Sequence, residues 1–187
     1  MSTPSTLIVP GLNGSGPTHW QTRWEALYPH TVRVAQRDWD HPDREEWQTT
    51  LEAAVVSAPE RVVLVAHSLG CALVAHLASR PIAARIVAAL LVAPADVDSR
   101  ERTPAETRSF APMPMAPLPF PATVVASGDD PYVSLARAHH FATCWKAMFV
   151  DAGPKGHLNA DSGLGDWPEG HRHLEALLAC APLPGLR

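Results

Sequence analysis

The chain has 187 residues, of which 46% are hydrophobic and 18% are charged. This length allows one well-formed core, so we expect a single domain over residues 1–187. A net charge of −4 with scattered Lys and Arg residues leaves no basic stripe for nucleic acid. There is no apolar stretch of the roughly 20 residues that a membrane span needs and no signal-peptide pattern, which predicts a cytoplasmic protein without membrane contact.

Short apolar runs alternate with segments of helical periodicity along the chain. The runs predict strands buried on both faces at residues 6–10, 31–35, 62–66, 86–93, 123–126 and 148–150. The periodic segments predict helices at residues 19–28, 44–57, 69–79, 135–146 and 170–179. Because parallel neighbours need a crossover, this alternation predicts a three-layer α/β fold with a mostly parallel sheet of about six strands and helices on both faces. Functional residues should follow the carboxyl ends of the strands, where such sheets bind ligands.

The segment 95–121 departs from the alternation. It holds six of the 19 prolines and no helical apolar stripe, so it cannot form a long helix. A loop of this length that leaves the predicted binding rim indicates a small lid or a substrate-facing arm. An irregular structural connection is the alternative.

A serine lies at the junction of the third predicted strand and the following helix. Ser68 is preceded two positions earlier by Ala66 and followed two positions later by Gly70. A tight strand-to-helix turn crowds both of these positions, so small residues there are typical of a nucleophile elbow. The alternative is that Ser68 only caps the helix. The strand before it and the helix after it favour the nucleophile.

A serine nucleophile needs a carboxylate and a histidine later in this kind of fold, in that order. Asp130 follows the fifth predicted strand and is the predicted acid, with Asp129 as its competitor; the alternative is that both carboxylates cap the next helix. Of ten histidines, only His157 follows the last predicted strand at short range. Gly156 and a second glycine suit the loop that would turn its imidazole back to the serine.

The negative charge that develops on an attacked carbonyl oxygen needs two hydrogen-bond donors. One is expected to be the backbone N–H of Leu69, which follows the nucleophile, and the second should come from the loop after the first strand. There we predict Leu12, with Asn13 as second choice. Nucleotide-phosphate loops and metal-ligand spacings are absent from the sequence, so we expect no cofactor and no metal.

The chain resembles the small serine hydrolases grouped with retinoblastoma-binding protein 9, in particular the short bacterial members. The similar stretches are PG at 10–11, THWQ at 18–21, WE at 24–25, QRDWD at 36–40, VAHSLGC at 65–71, DDPYV at 129–133 and GHLNADSGLGDWPEG at 156–170. The resemblance implies an α/β-hydrolase fold without a large cap domain, carboxylic-ester hydrolysis, and a triad of Ser68, Asp130 and His157. Two departures from the broader superfamily are Ala66 in place of glycine in the elbow and Pro10 in place of a common histidine.

These observations predict a serine hydrolase that acts on small esters through an acyl-enzyme intermediate. The same triad would also serve a thioesterase, an amidase or an acyltransferase. A different alternative is an interaction protein with a vestigial triad. The expected partner is a small-molecule ester, and the expected assembly is a monomer or a weak homodimer.

Overall fold

The structure, a computed structural model, describes residues 4–181. Its strands are β1 (Ser5–Val9), β2 (Thr31–Arg33), β3 (Val62–His67), β4 (Ile86–Val92), β5 (Ala122–Ala126) and β6 (Met148–Asp151). Its α-helices are α1 (Trp20–Leu27), α2 (Arg44–Ser57), α3 (Leu69–Leu77), α4 (Leu135–Trp145) and α5 (Pro168–Cys180). Short 3-10 helices span Pro81–Arg85, Ala105–Phe110 and Ala160–Ser162. The predicted alternation of strands and helices is confirmed.

The six strands form one sheet in the order β2-β1-β3-β4-β5-β6, and every neighbouring pair is parallel. The chain moves outward from β1 to β2 and then returns to place β3 on the other side of β1. The order therefore reverses between β1 and β3. In open parallel sheets this reversal opens a crevice at the carboxyl ends of the two strands, where ligands bind.

Two apolar layers sandwich the sheet, because side chains along a strand alternate between its faces. Leu64 of β3 lies in the core that includes buried side chains of α2, α3 and α4. Its neighbours Val63 and Val65 lie in the opposite core with Trp20 and Trp24 of α1 and with part of α5. The three-layer prediction is confirmed. No helix in the described part of the chain is long and apolar enough to cross a membrane.

The two edge strands correct one expectation. The sequence predicts all six strands to be buried on both faces, but β2 and β6 contain no buried residue. Val32 of β2 is 57% exposed and Met148 of β6 is 70% exposed. Both strands have a neighbour on only one side, and their apolar residues reflect the preference of strands for such side chains as well as burial.

The segment 95–121, called the arm below, contains only the short 3-10 helix Ala105–Phe110. Arg137 of α4 fixes its beginning, since its guanidinium donates to Asp96 Oδ2 at 3.3 Å and to Asp98 Oδ2 at 2.8 Å. Phe110 is fully buried in the core beside α2 and α3. The arm is therefore anchored at both its start and its centre.

The close packing of α3 on β1 predicts that Gly70→Ala destabilises the protein. A Cβ at Gly70 would lie 2.3 Å from the carbonyl oxygen of Val9 and 2.8 Å from that of Pro10. Backbone atoms cannot rotate away, so we expect a loss of roughly 1–3 kcal/mol in the free energy of unfolding, measured by urea titration. Gly16→Ala is the control, because a Cβ there meets no heavy atom within 4 Å. Equal urea midpoints for the two variants would contradict the packing argument.

Candidate active site

Ser68 occupies a strained turn between β3 and α3. Its φ of 55° and ψ of −120° lie in a region of backbone conformation that residues other than glycine rarely adopt. Such a conformation costs roughly 1–3 kcal/mol and persists only where its surroundings fix it. The Ser68 N–H donates to the carbonyl oxygen of Val92 at 3.0 Å, which ties the turn to β4.

The loop after β1 lies directly against this turn. A Cβ added at Gly11 would be 2.9 Å from Ser68 Cβ and 3.0 Å from the nitrogen of Leu69. Only a residue without a side chain allows this approach. Two glycines, Gly11 and Gly70, thus bring the ends of β1 and β3 together at the point where the strand order reverses.

His157 and Asp130 form a chain of hydrogen bonds with Ser68. His157 Nε2 lies 2.8 Å from Ser68 Oγ, and His157 Nδ1 lies 2.8 Å from Asp130 Oδ2 and 3.0 Å from Asp130 Oδ1. A carboxylate only accepts hydrogen bonds, so Nδ1 carries the proton and Nε2 is free to accept from the serine hydroxyl. Asp130 is buried, and its Oδ1 also accepts from the N–H of Tyr132 at 2.8 Å. The structure brings the three predicted residues together.

Asp129, the competing acid, has a different environment. Its Oδ1 accepts from Ser127 Oγ and from the Gly156 N–H, both at 2.7 Å. These hydrogen bonds lower the pKa of the exposed Asp129 carboxyl, and they tie the loop after β5 to the loop that carries His157. Neither carboxylate caps α4, since Ser134 is its N-cap and accepts from the N–H of Arg137.

The backbone N–H groups expected to face a developing oxyanion differ in whether they already donate a hydrogen bond within the protein. Leu69 is the first residue of α3, where an N–H has no acceptor within the helix. The N–H of Asn13 donates to the carbonyl oxygen of Trp39 at 2.9 Å, so it is already used. Leu12 and Leu69 both line the cavity beside Ser68. This arrangement favours Leu12 over Asn13.

A cavity of about 230 Å³ opens beside Ser68. Residues from the loops after β1, β3, β4, β5 and β6 line it, as expected for a rim at the carboxyl ends of parallel strands. Thr103, Pro104 and Thr107 of the arm form part of its wall. The arm therefore faces the cavity with one part and fills the core with another. Within residues 4–181, no cluster of His, Cys, Asp or Glu side chains has the arrangement of a metal site.

Two further imidazoles lie beside His157: that of His67, whose place next to Ser68 in the sequence predicts packing or proximity to a substrate, and that of His19, for which the sequence predicts no role. The ring of His67 lies 4.8 Å from that of His157 and 4.7 Å from that of His19 between centroids. His67 Nε2 donates to the carbonyl oxygen of His157 at 2.9 Å. Burial lowers the pKa of His19 to about 4 and that of His67 well below its usual value. Both rings are neutral at pH 7.

Indole groups of α1 hold the loop that carries His157. Trp20 Nε1 donates to the carbonyl oxygen of Leu158, and Trp24 Nε1 donates to that of Asp166, both at 2.8 Å. Leu158 has a φ of 50°, in the left-handed region, so the residue after His157 also needs external support. The sequence signals for these contacts are the THWQ stretch at 18–21, which contains Trp20, and the WE pair at 24–25.

The neutral buried imidazoles predict a loss of stability in acid. Because the folded protein binds protons at His19 and His67 less readily than the unfolded chain, the free energy of unfolding falls as pH decreases from about 6.5 towards 4. A pKa of about 4 instead of 6.5 corresponds to roughly 3 kcal/mol for His19 alone. His19→Asn keeps an N-cap acceptor for the Gln21 N–H and removes this titration, so its stability should depend less on pH.

Urea titrations of both proteins at several pH values measure this difference. The control is His41→Asn, which removes an imidazole whose side chain is 81% exposed and should leave the pH dependence unchanged. If the free energy of unfolding of the parent protein and that of His19→Asn depend on pH in the same way, the burial of His19 does not contribute to the loss of stability in acid.

Comparison with known proteins places the chain in a family. A YdeN-like hydrolase from Pectobacterium atrosepticum is 31% identical, with a TM-score of 0.85 over 96% of this chain and 94% of that one. The ydeN gene product of B. subtilis (19% identity, TM-score 0.73, 95% and 100% covered) and a thermophilic esterase from Thermogutta terrifontis (15%, 0.68, 97% and 92%) share the fold. No curated protein matches in sequence. A family model described as serine hydrolase matches residues 6–176, and the chain therefore belongs to this serine hydrolase family.

Proposed function

We propose that the protein hydrolyses small carboxylic esters, with Ser68 as nucleophile, His157 as general base and Asp130 as the acid that orients it. The observation that carries this proposal is the continuous chain of hydrogen bonds from Ser68 Oγ through both nitrogens of His157 to Asp130. A vestigial site would not be expected to keep this geometry. Asp130 would hold the tautomer that leaves Nε2 unprotonated and would stabilise the imidazolium formed during the reaction.

In the first half of the reaction, Nε2 of His157 takes the proton from Ser68 Oγ as the oxygen attacks the ester carbonyl carbon. The carbonyl oxygen becomes an oxyanion, which the N–H groups of Leu69 and Leu12 would bind. Each such donor is worth roughly 3–4 kcal/mol in related sites. The carbon–oxygen bond to the alcohol then breaks, and the alcohol leaves with the proton from His157.

In the second half, water attacks the acyl-enzyme. His157 takes a proton from this water, a second tetrahedral intermediate forms, and Ser68 leaves with the proton as the carboxylic acid is released. The strained φ of Ser68 supports this role, because it lifts Oγ out of the sheet at the start of α3. Thioesters and amides would react through the same steps, so an ester, thioester and amide panel is needed to rank them.

Replacement of the two neighbouring aspartates tests the assigned roles. Asp130→Asn should lower kcat for 4-nitrophenyl acetate about 10⁴-fold, because an amide no longer selects the reactive tautomer of His157. Asp129→Asn should retain most activity, since Asp129 contacts Ser127 and Gly156 rather than the imidazole. Stopped-flow and steady-state assays of 4-nitrophenyl acetate hydrolysis measure kcat for both variants.

Mapping of a fluorophosphonate adduct identifies the nucleophile directly. We expect one adduct on Ser68 and none in Ser68→Ala. Equal activity of the two aspartate variants, or labelling of Ser68→Ala at the same rate as the parent, would refute the assignment.

A second prediction concerns the support of the His157 loop. Trp20→Phe and Trp24→Phe each keep an aromatic ring and each remove one indole donor with a 2.8 Å bond. Trp20 holds the carbonyl of Leu158, beside the base, whereas Trp24 holds that of Asp166, nine residues from it. We expect Trp20→Phe to lower kcat roughly 10-fold or more with little change in KM, because small displacements of a catalytic group are costly. Trp24→Phe should lower the free energy of unfolding by about as much as Trp20→Phe does, but it should leave kcat nearly unchanged.

The urea midpoint of each tryptophan variant separates stability from catalysis. Equal losses of kcat in the two variants at equal stability would mean that α1 supports the loop as a whole and that the bond beside His157 has no special importance.

A further inference from the structure

Tyr132 contributes an aromatic ring to the wall of the cavity beside Ser68. Of the described residues that line this cavity, it is the one whose aromatic ring is not an imidazole. The side chains of His19 and His67 are almost fully buried, whereas Tyr132 is 37% exposed. Part of the surface of Tyr132 is therefore available to a ligand in the cavity.

The backbone that carries this ring is fixed on both sides. The Tyr132 N–H donates to Asp130 Oδ1 at 2.8 Å, and the Tyr132 carbonyl oxygen accepts from the N–H of Asp96 at 3.1 Å. The next residue, Val133, is fully buried in the core. Because a tyrosine side chain has few rotatable bonds, a ring on a fixed backbone loses little conformational entropy when a ligand packs against it.

The Tyr132 ring also lies beside His157. The centroids of the two rings are 4.5 Å apart, and their planes are inclined by 59°. In the proposed reaction, Nε2 of His157 gives a proton to the alcohol oxygen as this oxygen leaves, so the two atoms must come within roughly 2.6–3.2 Å of each other. The alcohol part of the ester therefore lies against the imidazole, on which the Tyr132 ring packs.

We propose that the site selects esters whose alcohol part carries an aromatic ring, and that Tyr132 is the residue that selects this ring. The proposal rests on the ester-hydrolase function proposed above and adds the class of alcohol. Two aromatic rings attract each other in offset or edge-to-face arrangements with centroids roughly 4.5–7 Å apart, and a saturated ring lacks this attraction. An aryl group attached close to the leaving oxygen comes within this range of Tyr132.

A pair of acetates with matched shape tests the alcohol part. Benzyl acetate and cyclohexylmethyl acetate share the acyl group and differ in whether the ring of the alcohol is aromatic. Titration of the released acetic acid gives kcat/KM for each ester, and the ratio of the two values is compared between proteins, so that the intrinsic reactivity of the esters cancels. Tyr132→Leu should lower the benzyl-to-cyclohexylmethyl ratio about 3- to 10-fold, because leucine keeps an apolar side chain without a π-system. Tyr132→Phe should keep the parent ratio.

Two controls locate the effect. Tyr28→Leu removes the other tyrosine of the chain, whose ring stacks on that of His171 and does not line the cavity, so the parent ratio should be kept. Methyl phenylacetate and methyl cyclohexylacetate place the same two rings in the acyl part. The ratio of kcat/KM for this second pair should be equal in Tyr132→Leu and in the parent.

The outcomes separate the two proposals. If Tyr132→Leu keeps the ratio of the first pair, or lowers the ratio of the second pair as much, selection of the alcohol by Tyr132 is wrong and ester hydrolysis stands. The same conclusion follows if the parent hydrolyses 4-nitrophenyl acetate but not benzyl acetate. If the parent hydrolyses none of these esters and Ser68 forms no fluorophosphonate adduct, the proposed function is wrong and the selection of the alcohol falls with it.

Discussion

The contact between the loop after β1 and the turn at Ser68 is the constraint on which the site depends. Gly11 and Gly70 permit it, since a Cβ at either position would overlap neighbouring atoms. The contact brings the loop after β1 against the turn that follows β3, at the reversal of strand order between these two strands. The strained backbone of Ser68 persists there because β1, β4 and α3 all pack against it.

The position of His157 depends on residues far from it in sequence. His67 and Trp20 donate to consecutive carbonyl groups, those of His157 and Leu158, while Asp129 accepts from the N–H of Gly156. The loop is thus held through its backbone from three directions, and the imidazole of His157 keeps its own nitrogens for Ser68 and Asp130. A loop fixed in this way loses little further entropy when a substrate binds.

The parts of this arrangement that local patterns encode could be predicted from the sequence. Ser68, Asp130 and His157 each follow a strand in a stretch of typical composition, and the α/β fold follows from alternation. The exposed faces of β2 and β6 could not be predicted, because edge position depends on the order of strands in space. The neutral state of His19 and His67 could not be predicted from the sequence either, because it results from burial between elements that are distant along the chain.

The neutrality of these two rings bears directly on the proposed chemistry. Three imidazoles lie in a row with centroids less than 5 Å apart, and a positive charge on one would disfavour a charge on the next. Burial keeps His19 and His67 uncharged, so the proton taken from Ser68 can reside on His157 without repulsion from its neighbours. Asp130 then supplies the opposite charge beside the ring, and the ion pair forms only while the reaction needs it.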